Sequence, residues 1–235
     1  MKITCHMIMS VDGRLLPKYW SPLYNASSSV TEVYEAADAK LSADGWIVGR
    51  KTMAEYGADV VEEKEPMEGH KTMQTNTFIG KREGRPLAVV FDIQGRLHYK
   101  SPTLPSGEHI VAVLGSHVTR AYQKELEEIG VSYIMRTPGS KLEETQSALK
   151  HLEHDFNVKH MLLEGGAITC GSFLQMGLVD ELSMIVYPGL DGESGHPSVI
   201  ECQGVVEPLK KNRLELIDCE TIGSGYVWLR YNIHR

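Results

Sequence analysis

Residues 160–188, HMLLEGGAITCGSFLQMGLVDELSMIVYP, constrain the fold more than any other stretch of the chain. Residues 161–163 are a short apolar run of the kind that forms a buried strand. Glu164, Gly165 and Gly166 follow at its end; residues 167–176 carry apolar side chains at helical spacing, and residues 182–187 read as another strand. Two glycines between a strand and a helix let backbone approach a ligand, because no Cβ stands in the way. The helix start adds N–H groups without intrahelical partners and the positive end of a dipole, a combination that suits phosphate. Glu164 stands beside it as a carboxylate able to grip a polar substrate. Two glycines alone would equally make a plain strand-to-helix turn; the full context favours a ligand.

The rest of the chain alternates in the same way. Residues 3–9 form a strand with Ile3, Cys5, Met7 and Met9 on one face, ended by the turn signal Ser10-Val11-Asp12-Gly13. Residues 14–26 make an aromatic-rich loop of the length that often serves as a lid. Ser29 and Glu32 fit a capping box opening a helix to about Leu41, with Asn25 and Ser27 as nearby capping candidates. Lys40, close to that helix's end, complements its dipole. Residues 45–48 are a second strand, after which Gly49, Arg50, Lys51 and Thr52 open a short helix through Tyr56. Their N–H groups, hydroxyl and charges make a second corner that suits phosphate. Residues 57–85 are polar and read as a loop insertion with at most short elements, in which His70 and Lys71 are the basic residues most available to a sugar phosphate. Residues 86–91 and 109–114 are buried strands, residues 116–129 a helix with Ser116 as its N-cap, residues 131–135 a strand and residues 140–155 a helix. Residues 189–195 form a glycine-rich loop, and residues 214–217 and 226–231 read as strands. The order predicts one α/β domain over residues 1–235, mostly parallel, with antiparallel strands at one end.

With 235 residues, 42% of them apolar, the chain is long enough for one sizeable core. Its net charge of −7 lacks the basic face of a nucleic-acid binder. No apolar run nears the length of a membrane span and no signal peptide is seen, so a cytoplasmic protein is expected. Cys5, Cys170, Cys202 and Cys219 show no C-x-x-C spacing, and His151 and His154 on one helix have no third ligand nearby; free thiols and no metal site are expected. The chain has no Ser/His/Asp or Cys/His order, no P-loop, no H-E-x-x-H and no GxGxxG. What remains are strand ends at Ser10, Gly49 and Gly165, where ligands of open α/β sheets gather. Phosphate corners with few catalytic groups suit hydride transfer, in which a cofactor carries the chemistry and the protein positions it.

Residues 162–192, LLEGGAITCGSFLQMGLVDELSMIVYPGLDG, resemble the signature of the C-terminal reductase domain of bacterial riboflavin-biosynthesis proteins. SVDG at 10–13, VGRKT at 48–52 and the segment from Phe91-Asp92 to Gly95-Arg96-Leu97 match that family in order, so the resemblance spans most of the chain. It implies a dihydrofolate-reductase-like three-layer α/β fold, with a central mostly parallel mixed sheet, antiparallel C-terminal strands and helices on both faces. The zinc deaminase often fused to that domain has no H-x-E or P-C-x-x-C counterpart here, so a free-standing reductase is expected. Where the family carries an acidic ADDP run, this chain has Ala54-Glu55-Tyr56-Gly57-Ala58-Asp59, a departure on the substrate side.

The reaction implied is transfer of a hydride from NADPH to C1′ of a ribosylaminopyrimidine 5′-phosphate, opening the ribose to a ribityl group. The resemblance puts Ile8 against the nicotinamide. It gives the cofactor phosphates and ribose to Thr52, with Arg50, Lys51 or Ser116 at the 2′-phosphate, and to the run Gly165, Gly166, Ala167, Ile168, Thr169, Cys170, Gly171 and Ser172. Glu164 and Asp12 are the catalytic candidates, and Asn25, Lys40 and Glu164 the substrate-binding ones, Lys40 standing where the family has an arginine. A homodimer is expected. Two alternatives stay open: a pterin or dihydrofolate reductase on the same fold, for which Glu32 and Glu35 offer the acidic group, and an NADP-binding homologue without catalysis.

Overall fold

The protein is described from a computed structural model that covers residues 1–25, 28–57, 59–69, 77–204 and 207–235. It divides into two compact units, the first made of Met1 and Asp44–Lys159, the second of Lys2–Ala43 and His160–Arg235.

In the first unit, β2 (Gly45–Gly49), β4 (Leu87–Phe91), β6 (His109–Leu114) and β7 (Ser132–Met135) pair in that order, all parallel. Parallel strands are covered on both faces, and the unbroken apolar runs LAVVF and HIVAVL are what such burial demands. The helices of this unit are α2 (Arg50–Tyr56), α3 (Arg120–Ile129) and α4 (Lys141–Asp155). Tyr122 and Leu126, one turn apart on α3, sink into a core with Val90, Ala112, Leu114 and Met135. The helix ends at Gly130, whose left-handed φ of 92° a side chain would resist. Its start corrects one expectation: the N-cap is Thr119, which accepts the Tyr122 amide, and not Ser116. Both are cap-forming residue types. Residues 115–118 are taken instead by a turn in which Val118 N–H donates to the Gly115 carbonyl, burying the Val118 side chain. The polar 57–85 segment contributes β3 (Val61–Glu62), which pairs antiparallel with β5 (Leu97–His98), and a bridge from Phe78 to Tyr133.

In the second unit the strand order is β10 (Arg213–Ile222), β11 (Tyr226–His234), β9 (Glu181–Tyr187), β1 (Lys2–Ser10) and β8 (His160–Leu163). β1 runs parallel to β8 and β9, and β11 runs antiparallel to β9 and β10. The fold is therefore α/β with mostly parallel strands and antiparallel C-terminal ones, as expected. Its helices are α1 (Val30–Leu41), α5 (Ala167–Gln175) and the short α6 (Glu207–Lys210). α1 opens with the anticipated capping box: the Ser29 hydroxyl accepts the Glu32 amide and the Glu32 carboxylate accepts the Ser29 amide. Val33, Ala37 and Leu41 are its buried stripe.

Candidate active site

β8 ends at Leu163, and Glu164, Gly165 and Gly166 carry the chain into α5. Gly165 has a φ of 125°, which no side chain tolerates well, and the Gly165–Gly166 peptide is cis. Gly166 is the N-cap and makes no side-chain cap, so the first turn of α5 presents backbone N–H groups alone. The expected run from Gly165 to Ser172 splits by helix face. Ile168 is 44% exposed, whereas Cys170 is fully buried. Gly171 packs against the segment beyond β9: a Cβ there would meet the Glu201 carbonyl oxygen at 1.9 Å, and Glu201 N–H donates to the Ala167 carbonyl at 3.1 Å. Gly171 and Cys170 are thus taken up by packing, while the start of the helix keeps its uncapped backbone.

Glu164 is half-buried beside Tyr34 of α1. The Tyr34 hydroxyl donates to the His6 carbonyl at 2.8 Å, and its ring stacks on the His6 imidazole with centroids 4.4 Å apart. Burial, then the nearby Glu164 charge, holds the Tyr34 phenol well above its ordinary value. Cys5, facing Cys170, is also raised: the hydrogen bond to Cys170 is the largest cause, then burial, with the Glu164 charge adding to it. His6 is pushed down to about 4 by burial, its Nδ1 meeting the Ser183 hydroxyl at 2.8 Å. Tyr34 and His6 were missed in the sequence. Tyr34 reads there as one more apolar helix position, and only the packing of α1 on β1 brings its hydroxyl to Glu164.

Asp12 lies in the turn after β1. Its carboxylate accepts the Ser10 hydroxyl at 2.6 Å and the amides of Asp191 and Gly192 at 3.1 and 2.8 Å, so it clamps the turn after β1 to the glycine-rich loop after β9. Those bonds, that from Ser10 foremost, lower its carboxyl to about 2. Arg14 Nη1 adds a bond to the His196 carbonyl at 2.7 Å, and the Tyr19 ring lies 4.1 Å from that of His196. The aromatic loop is thereby pinned to the same segment. Ile8 pairs with Ile185 within the sheet. Lys40 is not brought to Glu164: its ammonium pairs with Glu220 at 2.9 Å and sits 5.2 Å from the Trp228 ring centre. Asn25 is exposed. Ser27, His70 and Lys71, named from the sequence, lie outside the described residues.

In the first unit, Lys51 is exposed, and Arg50 and Thr52 are half-buried at the start of α2. Arg50 is ion-paired with Glu62. Ser116, half-buried, follows β6 next to a cleft of about 300 Å³ whose walls include Gln94, Gly95, His117 and Thr119, at the carboxyl ends of β4 and β6. That position is where open α/β sheets take ligands.

The α/β architecture is shared with several solved proteins. The chain is similar to a pyrimidine reductase-like protein from Corynebacterium diphtheriae, with a TM-score of 0.66 and 18% identity over 100% of this chain and 92% of that one. It is also similar to the riboflavin biosynthesis reductase Rib7 of Saccharomyces cerevisiae (TM-score 0.61, 15% identity, 99% and 90% of the two chains). A third match is RibD of Acinetobacter baumannii (TM-score 0.65, 19% identity, 99% of this chain and 58% of that one). Residues 1–228 match the sequence profile of the RibD C-terminal domain, and the chain belongs to that family. A curated relative from Archaeoglobus fulgidus, 2,5-diamino-6-ribosylamino-4(3H)-pyrimidinone 5′-phosphate reductase, is 26% identical over 152 residues. That alignment spans 64% of this chain and 65% of the relative.

Proposed function

We propose that this chain is an NADPH-dependent reductase of riboflavin biosynthesis, acting on the ribosyl group of a ribosylaminopyrimidine 5′-phosphate. The observation that carries the reading is the family match over residues 1–228, with Glu164 and the double glycine at the strand-to-helix corner of that match. The match also supports treating residues 1–235 as one domain of this type with an insertion at 57–85.

The residues present fit a nicotinamide dinucleotide. In the first unit the guanidinium of Arg50 is a donor for phosphate, and the cleft beside Ser116 has the size of a nucleoside pocket. Such a cofactor supplies the hydride when bound. The chain's own work is to bind, orient and manage a proton. Opening the ribose breaks the C1′–O4′ bond and moves the amine proton to O4′, leaving an imine. A hydride then adds to C1′ and a proton to the imine nitrogen, so one hydride and one proton are taken up overall. Glu164, the ionisable group at the corner, holds the substrate's polar edge and passes the proton. Tyr34, held by the His6 carbonyl, walls the carboxylate's side of the corner, and Asp12 keeps the flanking loops in place. Holding the reactants in line accounts for several kcal/mol of barrier, on the order of 7 or more in favourable cases.

The pterin alternative is weakened by Glu32, whose carboxylate is taken up by the capping box. β10 supports a homodimer: Leu214 and Leu216 on this edge strand are 51% and 54% exposed, a surface that a second copy would cover. Among the described residues no helix is long and apolar enough to cross a membrane. We assign the protein to the cytoplasm with its pathway.

The test is a side-by-side assay of the ribosylaminopyrimidine 5′-phosphate and dihydrofolate with NADPH, following loss of its absorbance. Turnover of the first alone is expected. Turnover of dihydrofolate alone, or of neither despite NADPH binding, would remove this reading.

A further inference from the structure

Glu62 of β3 sits between two guanidiniums. It is ion-paired with Arg50, and the same Oε1 lies 3.2 Å from Nη2 of Arg96. Backbone geometry holds it there. Glu62 stands opposite Leu97 in the β3–β5 ribbon, Glu63 N–H donates to the Arg96 carbonyl at 2.9 Å, and Arg96 Nε donates to the Glu63 carbonyl at 2.6 Å. Arg96 Nη1 reaches Gln94 Oε1 at 3.4 Å, and Gln94 lines the 300 Å³ cleft, so the cluster borders that cleft. The side chains of Arg50, Arg96 and Glu62 are 21%, 18% and 26% exposed, enough for a small anion to reach them. Asp92, fully buried, accepts the Arg96 and Leu97 amides and adds a second negative charge felt by Arg50. Two guanidiniums thus face two carboxylates, and the cluster is neutral as it stands.

We propose that Glu62 is a specificity-determining residue: its carboxylate occupies the guanidinium pair at which the 2′-phosphate of NADPH docks, and so narrows the preference for NADPH over NADH. The proposal rests on the reading above that the chain binds a nicotinamide dinucleotide through the Arg50 corner. A phosphomonoester brings about −1.5 to −2 charges and is best held by paired forks of N–H donors. Arg50 and Arg96 supply those forks, but Glu62 already fills them. The 2′-phosphate must therefore displace Glu62, or bind a pair whose charge is cancelled. Partly exposed ion pairs are weak, so displacement is feasible and costs affinity without abolishing it. NADH, with a neutral 2′-hydroxyl, gains nothing from the pair and loses nothing to Glu62.

The experiment compares the wild type with Glu62→Gln, an isosteric change, and with Glu62→Ala. Each is titrated with NADPH, NADH, 2′,5′-ADP and 5′-AMP by calorimetry, with thermal midpoints recorded alongside. NADPH and 2′,5′-ADP are expected to tighten about five- to tenfold in both variants, while NADH and 5′-AMP stay within about twofold. An unchanged ratio between NADPH and NADH overturns the proposal. So does parallel weakening of all four ligands, which would make Glu62 a strap for the insertion and nothing more. A wild type that binds neither dinucleotide removes the reductase reading itself and this proposal with it.

Discussion

The Tyr34 hydroxyl donates to the main-chain carbonyl of His6 at 2.8 Å while the two rings stack at 4.4 Å. The pair fastens α1 to β1 and leaves the phenol beside Glu164. A helix whose placement depends only on its apolar stripe could slide by a fraction of a turn; this contact removes that freedom at the point nearest the carboxylate.

Tyr34→Phe keeps the stack and deletes the hydroxyl. Stability is expected to fall by about 1 kcal/mol, the usual worth of one hydrogen bond. Because Glu164 loses its neighbour, kcat/KM for the pyrimidine should drop about tenfold, with NADPH affinity within about twofold of wild type. Glu164→Gln should lower kcat by about a hundredfold or more, the range of a lost proton-transfer group, again sparing NADPH. Steady-state kinetics paired with cofactor titration separate the two effects. Loss of NADPH binding in Tyr34→Phe would show that the tyrosine serves the cofactor corner instead.

The fold was largely legible because its strands are unbroken apolar runs and its helices open with local signals such as Ser29 and Glu32. What escaped depended on partners distant in sequence. Thr119 and Ser116 are both cap-forming residues, and the burial of Val118 and Tyr122 chose between them. Glu62 sits in a polar run that shows no strand pattern, because β3 exists only through its pairing with β5. The glycine corner was legible as a strand-to-helix turn. The division of α5 was not, since the segment around Glu201 that covers Gly171 carries no periodic signal.

Gly171→Ala tests that division. The new Cβ would stand 1.9 Å from the Glu201 carbonyl oxygen and 2.6 Å from its carbon, and backbone cannot yield as a flexible side chain can. Overpacking of this kind costs about 1–3 kcal/mol, and the urea midpoint should fall accordingly. A variant of unchanged stability that no longer bound NADPH would return Gly171 to the cofactor.

Asp12 separates a clamp from a catalyst. Its carboxyl is lowered to about 2, first by Ser10 and then by the Gly192 and Asp191 amides. A lowered carboxyl contributes stability above its unfolded value, and that contribution is lost as pH falls through about 2. The carboxyl resonance of Asp12 should titrate near that pH. At neutral pH Asp12→Asn is expected to speed hydrogen exchange at Asp191 and Gly192 while turnover changes by less than about tenfold. A loss beyond about a hundredfold would restore Asp12 as a proton-transfer group.

Two buried imidazoles govern the range above that. His6 and His109 are each pushed to about 4, both chiefly by burial, His109 with added repulsion from Arg82 and Arg85. In the unfolded chain each titrates near 6.5, so between those values the unfolded state binds protons that the folded state refuses. Stability is therefore complete above about 6.5 and falls as pH drops toward 4. Each histidine should withdraw about 2 kcal/mol by pH 5, since a tenfold difference in proton affinity between the two states corresponds to about 1.4 kcal/mol. Urea unfolding at pH 7.5 and pH 5.0 reads the sum, and His109→Gln, which keeps a partner for the Ser132 hydroxyl now 2.7 Å from Nε2, should remove half of the slope. A stability that stays flat between those two pH values would mean that neither ring is buried in its neutral form.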